Sequence, residues 1–174
     1  YNGARIGNRV IIRQSVSIAH WPQDFSYKNE ETLFIVDDDT TIHEFVTLHR
    51  GTKLTGFSKI GKHCLLMAYT HVAHDCVVGD NCVLANGVQI GGVSVIEDYA
   101  TVGGLTSIHQ KCRVGQHSMT GGGFKIAQDV PPFILTGGYP LRFAGLNKIG
   151  LRRRGFSDED IMILKNAYSY LYSK

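Results

Sequence analysis

The chain has 174 residues and a formal net charge of +3, from 18 lysines and arginines against 15 aspartates and glutamates. A chain of this length suits one domain with a sizeable buried core, and so small a positive charge does not favour nucleic acid as a partner. No apolar run approaches the ~20 residues of a membrane-spanning helix, and no signal segment opens the chain. We therefore expect a cytoplasmic protein with no transmembrane segment.

An aliphatic residue recurs at every sixth position. The series starts at Ile6, Ile12 and Ile18, resumes at Val36, and runs without a gap from Ile60 to Ile126. Thr120 is the one position of this last run that is not aliphatic. A glycine or alanine usually follows the aliphatic residue. A period of six belongs neither to a helix nor to an alternating strand. It is typical of a hexapeptide β-helix, whose coils have three sides of six residues, so that residues 18 apart stack. We expect the aliphatic side chain to point inward and the small residue to let the backbone turn at a corner.

Two segments interrupt the period, residues 19–34 and residues 49–59. Loops that leave a rigid solenoid are natural places for ligand contacts. Because Ile6 is already in phase although the chain begins at Tyr1, we expect further coils to precede it in a longer protein. The sequence thus predicts an all-β solenoid over residues 1–132.

The repeat is expected to end at Pro131 and Pro132, because proline cannot donate to a strand ladder. Residues 133–150 are irregular and rich in glycine. A capping pattern at residues 157–160 then precedes apolar residues at helical spacing, which predicts one amphipathic helix at the C-terminus. Residues 133–174 are therefore treated as a second, smaller segment.

The four cysteines all occupy the fifth place of a hexapeptide: Cys64, Cys76, Cys82 and Cys112. Elsewhere in the repeat this place holds small residues such as valine, serine, threonine and alanine. The phase therefore predicts buried free thiols, although Cys64 and Cys82, one coil apart, stand close enough for a bridge to be considered. No zinc-type C-x2-C pair is present, and a reducing compartment is the expected setting.

Histidines that the repeat does not require are the first candidates for chemistry. His74 occupies a solvent-facing place in one column with Gly92 and Gln110, and a glycine between two polar side chains leaves a notch ~10 Å tall. Imidazole titrates near neutrality, so His74 is a candidate general base, which Asp75 would orient. A solvated surface histidine is the alternative. No G-x-S-x-G nucleophile elbow is present, which favours direct transfer over a covalent intermediate.

Several motifs in the chain closely resemble one family. These are His71-Val-Ala-His74-Asp75-Cys76, Gly103-Gly104, His109-Gln110, Gln128-Asp129-Val130-Pro131-Pro132 and Gly150-Leu-Arg-Arg-Arg-Gly155-Phe156. Together they resemble the UDP-N-acetylglucosamine O-acyltransferases that begin lipid A synthesis. The resemblance covers nearly the whole chain, and the H-x-x-H-D-C and R-R-G-F blocks are its most specific parts. It implies a left-handed parallel β-helix that assembles as a homotrimer with active sites between neighbours.

The resemblance also implies a role for particular residues. His74 would take the proton from the glucosamine 3-hydroxyl, which attacks a 3-hydroxyacyl thioester carried on the phosphopantetheine of acyl carrier protein; no metal or bound cofactor is implied. Asp75 would orient His74, and the Gly92 N–H would stabilise the oxyanion. The other residues implied are Asp24, His71, His109 and Gln110 for sugar and acyl contacts, Asn147 and Arg153 for the nucleotide side, and Gly122 for acyl length.

Two positions depart from the family pattern: Ser26, where a lysine is expected, and Val93, where a histidine is common. Lys28 is a candidate to replace the missing charge. Three alternatives stay open at this point: the related N-acyltransferase of the same pathway, a solenoid zinc carbonic anhydrase with His71, His74 and His109 as ligands, and a solenoid that binds a sugar nucleotide or carrier protein without catalysis.

Overall fold

The computed structural model describes residues 1–172 as twenty short strands followed by two helices. The strands are β1 Ala4–Ile6, β2 Ile11–Ile12, β3 Ser17–His20, β4 Leu33–Val36, β5 Thr41–Ile42, β6 Thr47–His49, β7 Phe57–Ile60, β8 Leu65–Leu66, β9 His71–Val72, β10 Val77–Val78, β11 Val83–Leu84, β12 Gln89–Ile90, β13 Val95–Ile96, β14 Thr101–Val102, β15 Ser107–Ile108, β16 Arg113–Val114, β17 Met119–Thr120, β18 Lys125–Ile126, β19 Ile134–Gly137 and β20 Arg142–Leu146. The helices are α1 Lys148–Arg153 and α2 Asp158–Tyr172.

The strands form three parallel sheets that are the three sides of a prism. The first sheet has the order β1-β4-β7-β10-β13-β16, the second β2-β5-β8-β11-β14-β17-β19-β20, and the third β3-β6-β9-β12-β15-β18. The chain therefore visits each side once per coil, and each strand from β1 to β15 pairs in parallel with the strand three elements later. This is the left-handed parallel β-helix that the period of six predicted.

The core is a set of columns of aliphatic side chains inside the prism. Leu66, Val72, Leu84 and Ile90 are completely buried, and each stacks on its equivalent in the next coil, as in the Ile90 and Ile108 pair. All four cysteines are buried with free thiols, as their phase in the repeat predicted.

The corner residues show a second regular feature, which corrects the expectation that the small residue after each aliphatic one makes the turn. In the uninterrupted coils from Ile60 to Thr120, the third residue after each inward-pointing residue has a positive φ, from 54° at His63 to 75° at Gly123, and most of these residues are not glycine. In these coils the small residue directly after the inward-pointing one has no such φ. Its role is close approach: a Cβ at Gly61 would lie 2.6 Å from the carbonyl carbon of Gly79 in the next coil. Glycine is thus needed there because adjacent backbones touch, and the turn itself is made two residues later.

The predicted boundaries need two corrections. The loops are shorter than expected, residues 21–32 and 50–56, because β4 pairs along four residues with β7, from Leu33 opposite Phe57 to Val36 opposite Ile60. The strand ladder also continues past Pro132. β19 pairs in parallel with β17, and β20 pairs antiparallel with β19. The prolines remove only their own donors, and from Phe133 onward the backbone N–H groups are available again.

The two helices cover the end of the solenoid. At the start of α2 the Ser157 hydroxyl and the Asp160 carboxylate exchange hydrogen bonds with each other's backbone N–H, which is the predicted cap. Ile161 and Tyr168 are the buried side chains of α2, and the Tyr168 hydroxyl donates to the Pro132 carbonyl at 2.7 Å. Neither helix is long and apolar enough to cross a bilayer, a statement that covers residues 1–172.

Candidate active site

His74 and Asp75 form a hydrogen-bonded pair at the corner between the third sheet and the first. The distance from His74 Nδ1 to Asp75 Oδ2 is 2.7 Å. Neighbouring residues in an extended strand point to opposite faces, but Asp75 is a corner residue with φ of 59°. The left-handed backbone turns its carboxylate back beneath the imidazole. Asp75 is thereby able to orient His74, the arrangement that the sequence left open.

The Asp75 carboxylate is buried and saturated with donors. The residue is 4% exposed, and it accepts hydrogen bonds from the Thr52 N–H and hydroxyl, both at 2.9 Å, and from the Thr55 hydroxyl. Burial raises the pKa of Asp75, but the hydrogen bonds from Thr55, His74 and Thr52 together outweigh burial and hold the pKa below its usual value. The side chain is therefore a carboxylate at neutral pH.

This ionisation state determines the tautomer of His74. A carboxylate only accepts hydrogen bonds, so His74 Nδ1 must carry the proton that it shares with Asp75. In the neutral imidazole the lone pair is then on Nε2. The Nε2 atom lies 3.7 Å from a carboxylate oxygen of Asp24. His74 is thus arranged to accept a proton at Nε2.

Gly92 lies directly against that nitrogen. A Cβ at residue 92 would be 2.6 Å from His74 Nε2, so only glycine leaves the imidazole in place. Within residues 1–172 no backbone or side-chain acceptor takes the Gly92 N–H, whereas the next N–H, that of Val93, donates to the His74 carbonyl at 3.0 Å. A backbone donor beside the base is thus free to bind a developing negative charge.

The first loop brings Asp24 to the same corner. The Ser26 N–H donates to the Asp24 carboxylate at 2.7 Å, and this hydrogen bond is the main reason that the pKa of Asp24 lies below its usual value. Lys28 is turned elsewhere, because its ammonium group donates to the Phe25 carbonyl at 3.2 Å. It does not line the cleft in front of His74, so it does not supply the charge that Ser26 lacks.

These elements enclose a cleft of about 390 Å³ in front of the base. It is lined by Asp24, Ser26, Thr52, Lys53, Leu54, His74, Asp75, Val93, Gln110 and Lys111. Of the candidate residues from the sequence, the cleft gathers Asp24, His74, Asp75 and Gln110, with Gly92 at the imidazole. One corner of the prism therefore holds a candidate base, a carboxylate hydrogen-bonded to it, a free backbone donor and room for a ligand.

His71 lies on the outer face of the third sheet. Its Nδ1 is 2.8 Å from the Thr47 hydroxyl, and its ring packs edge-on to His49 at 5.1 Å between centroids. Burial, followed by the nearby His49 and His74, lowers the pKa of His71 to about 4. Burial likewise lowers the pKa of His49. Both rings are therefore neutral at physiological pH.

The remaining candidates lie apart from the cleft within one chain. His109 is exposed on the same corner, one place before Gln110, and its Nδ1 is 3.2 Å from the Gln110 carbonyl. Gly122 is at another corner, between the second sheet and the third. Asn147 and Arg153 line a separate cavity of about 700 Å³ beside the second sheet, together with Met119. A single chain does not bring these groups to His74.

The sequence did not indicate the two threonines that bind Asp75 or the two lysines that line the cleft. Thr52 and Thr55 hold Asp75, and Lys53 and Lys111 add two positive charges to the lining. One signal was present: the second interruption of the repeat falls in the coil directly before His74, at the same corner. No sequence pattern shows which loop side chains reach Asp75, because a loop has no period.

Among residues 1–172 no three histidine, cysteine, aspartate or glutamate side chains converge in the manner of metal ligands. Two groups at the site already have other partners, since His74 Nδ1 is bonded to Asp75 and His71 Nδ1 to Thr47.

Comparison with known proteins first defines the class. The family model for bacterial transferase hexapeptide repeats matches residues 57–92, which include His74 and Gly92. The chain is thus a hexapeptide-repeat transferase fold with a histidine and aspartate pair at one corner.

The particular family follows from closer relatives. The model for domain 2 of UDP-N-acetylglucosamine O-acyltransferases matches residues 129–174. The UDP-N-acetylglucosamine acyltransferase structure from Bacteroides fragilis is 41% identical with a TM-score of 0.97, and the match covers 99% of this chain and 68% of that one. The Campylobacter jejuni structure of the same name is 35% identical with a TM-score of 0.90, covering 100% and 75%. The chain belongs to the UDP-N-acetylglucosamine O-acyltransferase family.

A curated relative from Herminiimonas arsenicoxydans, named acyl-[acyl-carrier-protein]--UDP-N-acetylglucosamine O-acyltransferase, is 44% identical over 162 residues. A relative of the same name from a Janthinobacterium species is 41% identical over 162 residues. Each match covers 92% of this chain, and the chain spans 62% of the length of each relative.

Proposed function

We propose that this protein transfers a 3-hydroxyacyl group from acyl carrier protein to the 3-hydroxyl of UDP-N-acetylglucosamine, the first step of lipid A synthesis. The observation that carries the proposal is the hydrogen bond between His74 and Asp75, because it leaves the lone pair of Nε2 facing the cleft. Family membership supplies the substrates, since relatives over most of the chain carry that name.

His74 acts as the general base. Nε2 takes the proton of the sugar 3-hydroxyl as the oxygen attacks the thioester carbonyl, and Asp75 stabilises the imidazolium that forms. Collapse of the tetrahedral intermediate breaks the carbon–sulfur bond, and the proton held on Nε2 passes to the departing thiolate of the carrier's phosphopantetheine. The balance is an ester and a free thiol.

The N–H of Gly92 stabilises the oxyanion. A backbone donor that has no internal partner loses no hydrogen bond when it binds the intermediate. Asp24 and Gln110 line the same cleft and contact the sugar or acyl group. His71 and His109 lie outside this lining and are proposed to contact the parts of the substrates that extend beyond the cleft. No bound cofactor takes part in these steps, since the acyl donor arrives on the carrier protein.

The active unit is a homotrimer with each site between two neighbours. The support is the separation of the candidate groups within one chain: His74 is at one corner, Gly122 at another, and Asn147 with Arg153 beside the second sheet. A neighbour related by three-fold symmetry presents its second sheet to the His74 corner and completes the site. Stacked Phe45 and Tyr69 and the 77% exposed Leu105 form an apolar strip at the corner between the second and third sheets, which such a neighbour would cover.

We place the enzyme in the cytoplasm, where its four free thiols stay reduced.

The test is release of carrier thiol when the protein is mixed with UDP-N-acetylglucosamine and 3-hydroxyacyl carrier protein. We expect His74→Ala to lower the rate of thiol release by at least about two orders of magnitude, which is the usual contribution of a general base. His63→Ala, which removes an exposed histidine from another corner, is the matched control. Retention of more than a few per cent of activity by His74→Ala in a folded trimer would remove His74 from the role of base.

A further inference from the structure

Two lysines flank the cleft on opposite sides of the His74 and Asp75 pair. Lys53 is on the loop of residues 50–56, and Lys111 is a corner residue two coils beyond Asp75, with Val93 between them. Both line the same cleft as His74. Neither belongs to the groups that the proposed chemistry uses.

The backbone of both lysines is tied to the catalytic groups. Thr52, directly before Lys53, donates its N–H and its hydroxyl to Asp75. The N–H of Lys111 donates to the Gly92 carbonyl at 3.0 Å. The two positive charges are therefore carried on backbone whose position is determined by the base and by the oxyanion donor.

The ammonium groups of both lysines are uncommitted. Within residues 1–172 neither makes an ion pair within 4.0 Å or donates a side-chain hydrogen bond, in contrast to Lys59, which pairs with Asp37 at 2.8 Å. The acidic groups at the cleft and beside the lysines already have partners, including Glu30, which accepts from the Lys28 N–H at 2.8 Å. Asp75 is saturated, Asp24 accepts from Ser26, and Asp129, which follows Lys111 in the corner column, accepts from the Arg113 N–H at 2.8 Å.

We propose that Lys53 and Lys111 together bind a phosphate group of a substrate at the mouth of the cleft. Lysine is a compact point charge that binds phosphate without a fixed orientation, and two ammonium groups across a cleft match the charge of one phosphate or diphosphate. The inference rests on the proposed function, in which both substrates carry phosphate. The sources are the diphosphate of the nucleotide sugar and the phosphodiester of the pantetheine arm.

The experiment compares the wild-type protein with the double variant Lys53→Met, Lys111→Met. The two side chains are exposed, so the variant keeps the fold. Binding of UDP-N-acetylglucosamine and of N-acetylglucosamine is measured by calorimetry. KM is measured for two small donors, 3-hydroxyacyl phosphopantetheine and its dephosphorylated pantetheine analogue.

We expect a loss of about tenfold in Kd or KM for one of the phosphate-bearing ligands, the size of one charge-assisted contact, with kcat changed less than twofold. The ligand without phosphate should bind as before. A loss for the nucleotide sugar identifies its diphosphate as the source, and a loss for the donor identifies the arm. The double Lys→Arg variant should keep the affinity, and Lys62→Met, which removes a lysine at another corner, should change nothing.

A rescue variant tests the site directly. Ser26 lines the same cleft, so Ser26→Lys added to the double methionine variant should restore most of the lost affinity. Unchanged Kd and KM in the double variant, beside an active wild type, would overturn the phosphate site and leave the proposed function standing. A wild type that releases no thiol and binds neither phosphate ligand would overturn both.

Discussion

Asp75 combines a structural and a chemical role in one buried carboxylate. It fastens the loop of residues 50–56 to the corner through Thr52 and Thr55, and it holds the proton of His74 on Nδ1. The two roles depend on the same property, since a carboxylate has only acceptors to offer. At the residue scale, the orientation of the base and the position of the loop are therefore coupled.

Asp75→Asn separates these roles. An amide group facing His74 would donate to Nδ1, move the imidazole proton to Nε2 and leave no lone pair toward the cleft. We expect kcat to fall by about 10²–10⁴-fold and the melting temperature to fall because the amide cannot accept from all of the present donors. Steady-state kinetics and thermal melts measure both effects. Asp129→Asn, in the same corner column, is the control, and an Asp75→Asn enzyme with a tenth or more of wild-type activity would contradict the orienting role.

At the scale of elements, three imidazole rings follow one another along the third sheet, in tilted and edge-on contact. His20, His49 and His71 lie one coil apart, with ring centroids separated by 5.6 Å and 5.1 Å. Protonated rings at these distances would repel one another, and burial adds to that cost. His49 and His71 therefore stabilise the fold only while their rings are neutral.

A defined pH dependence of stability follows from this row. The pKa of His71 is about 4 in the folded protein, below its ordinary value of 6.5. As pH falls from 6.5 to about 4 the unfolded chain takes up a proton that the folded chain does not, so the free energy of unfolding decreases. We expect the melting temperature to fall in this window, and to fall less in His71→Gln, which keeps a partner for Thr47. His49 still contributes, so the slope is reduced and not abolished.

Thermal melts between pH 4 and pH 8 make this measurement, with His63→Gln as the exposed control. Asp75 acts in a lower window: its folded pKa is depressed, so its stabilisation is complete above 3.8 and is lost as pH falls through the folded value. Equal slopes for wild type and His71→Gln above pH 4 would show that the row does not titrate as described.

The corner column that contains Gly122 provides a test of acyl length. We propose that Gly122 leaves the acyl groove open, so that longer 3-hydroxyacyl chains are preferred and Gly122→Met moves the preference toward shorter ones. The structure adds a cost, because a Cβ at residue 122 would lie 2.9 Å from the Gly104 carbonyl oxygen. We therefore expect a lower melting temperature as well.

Gly122→Ala is the matched control for that experiment. It has the same Cβ and the same backbone contact but no side chain long enough to fill a groove. The relative rates of a series of carrier-bound chain lengths should change in the methionine variant only. The same order of preference in wild type and a folded Gly122→Met would show that the acyl chain does not end at residue 122.

At the scale of the whole molecule, the proposed trimer predicts complementation between two inactive variants. His74→Ala removes the base, and Arg153→Ala removes a candidate nucleotide contact that lies beside the second sheet. If each site takes His74 from one chain and Arg153 from its neighbour, trimers assembled from both variants contain some intact sites. Every mixed trimer then contains one intact site of its three, so the isolated mixed trimers should have about a third of the wild-type activity.

Co-expression with two different tags isolates the mixed trimers for assay, and sedimentation should give the mass of three chains at micromolar concentration. Each variant expressed alone should stay inactive. A monomeric mass, or mixed trimers without activity, would place the complete site within a single chain.

The sequence by itself determined the three-sided β-helix, the columns of buried aliphatic side chains and the buried cysteine thiols. The reason is that the position of a residue within its hexapeptide predicts whether its side chain points into the core. It also placed His74, Gly92 and Gln110 in one column, since residues 18 apart stack. Only the tertiary structure decided that Asp75 turns back onto His74, which depends on a positive φ at the corner. It also decided that the strand ladder continues beyond Pro132, and that Thr52, Lys53 and Lys111 meet in the cleft. The loop of residues 50–56 is outside the hexapeptide repeat, so the repeat does not predict where its side chains lie. Its position depends on hydrogen bonds to Asp75, which is more than twenty residues away in the sequence from Thr52.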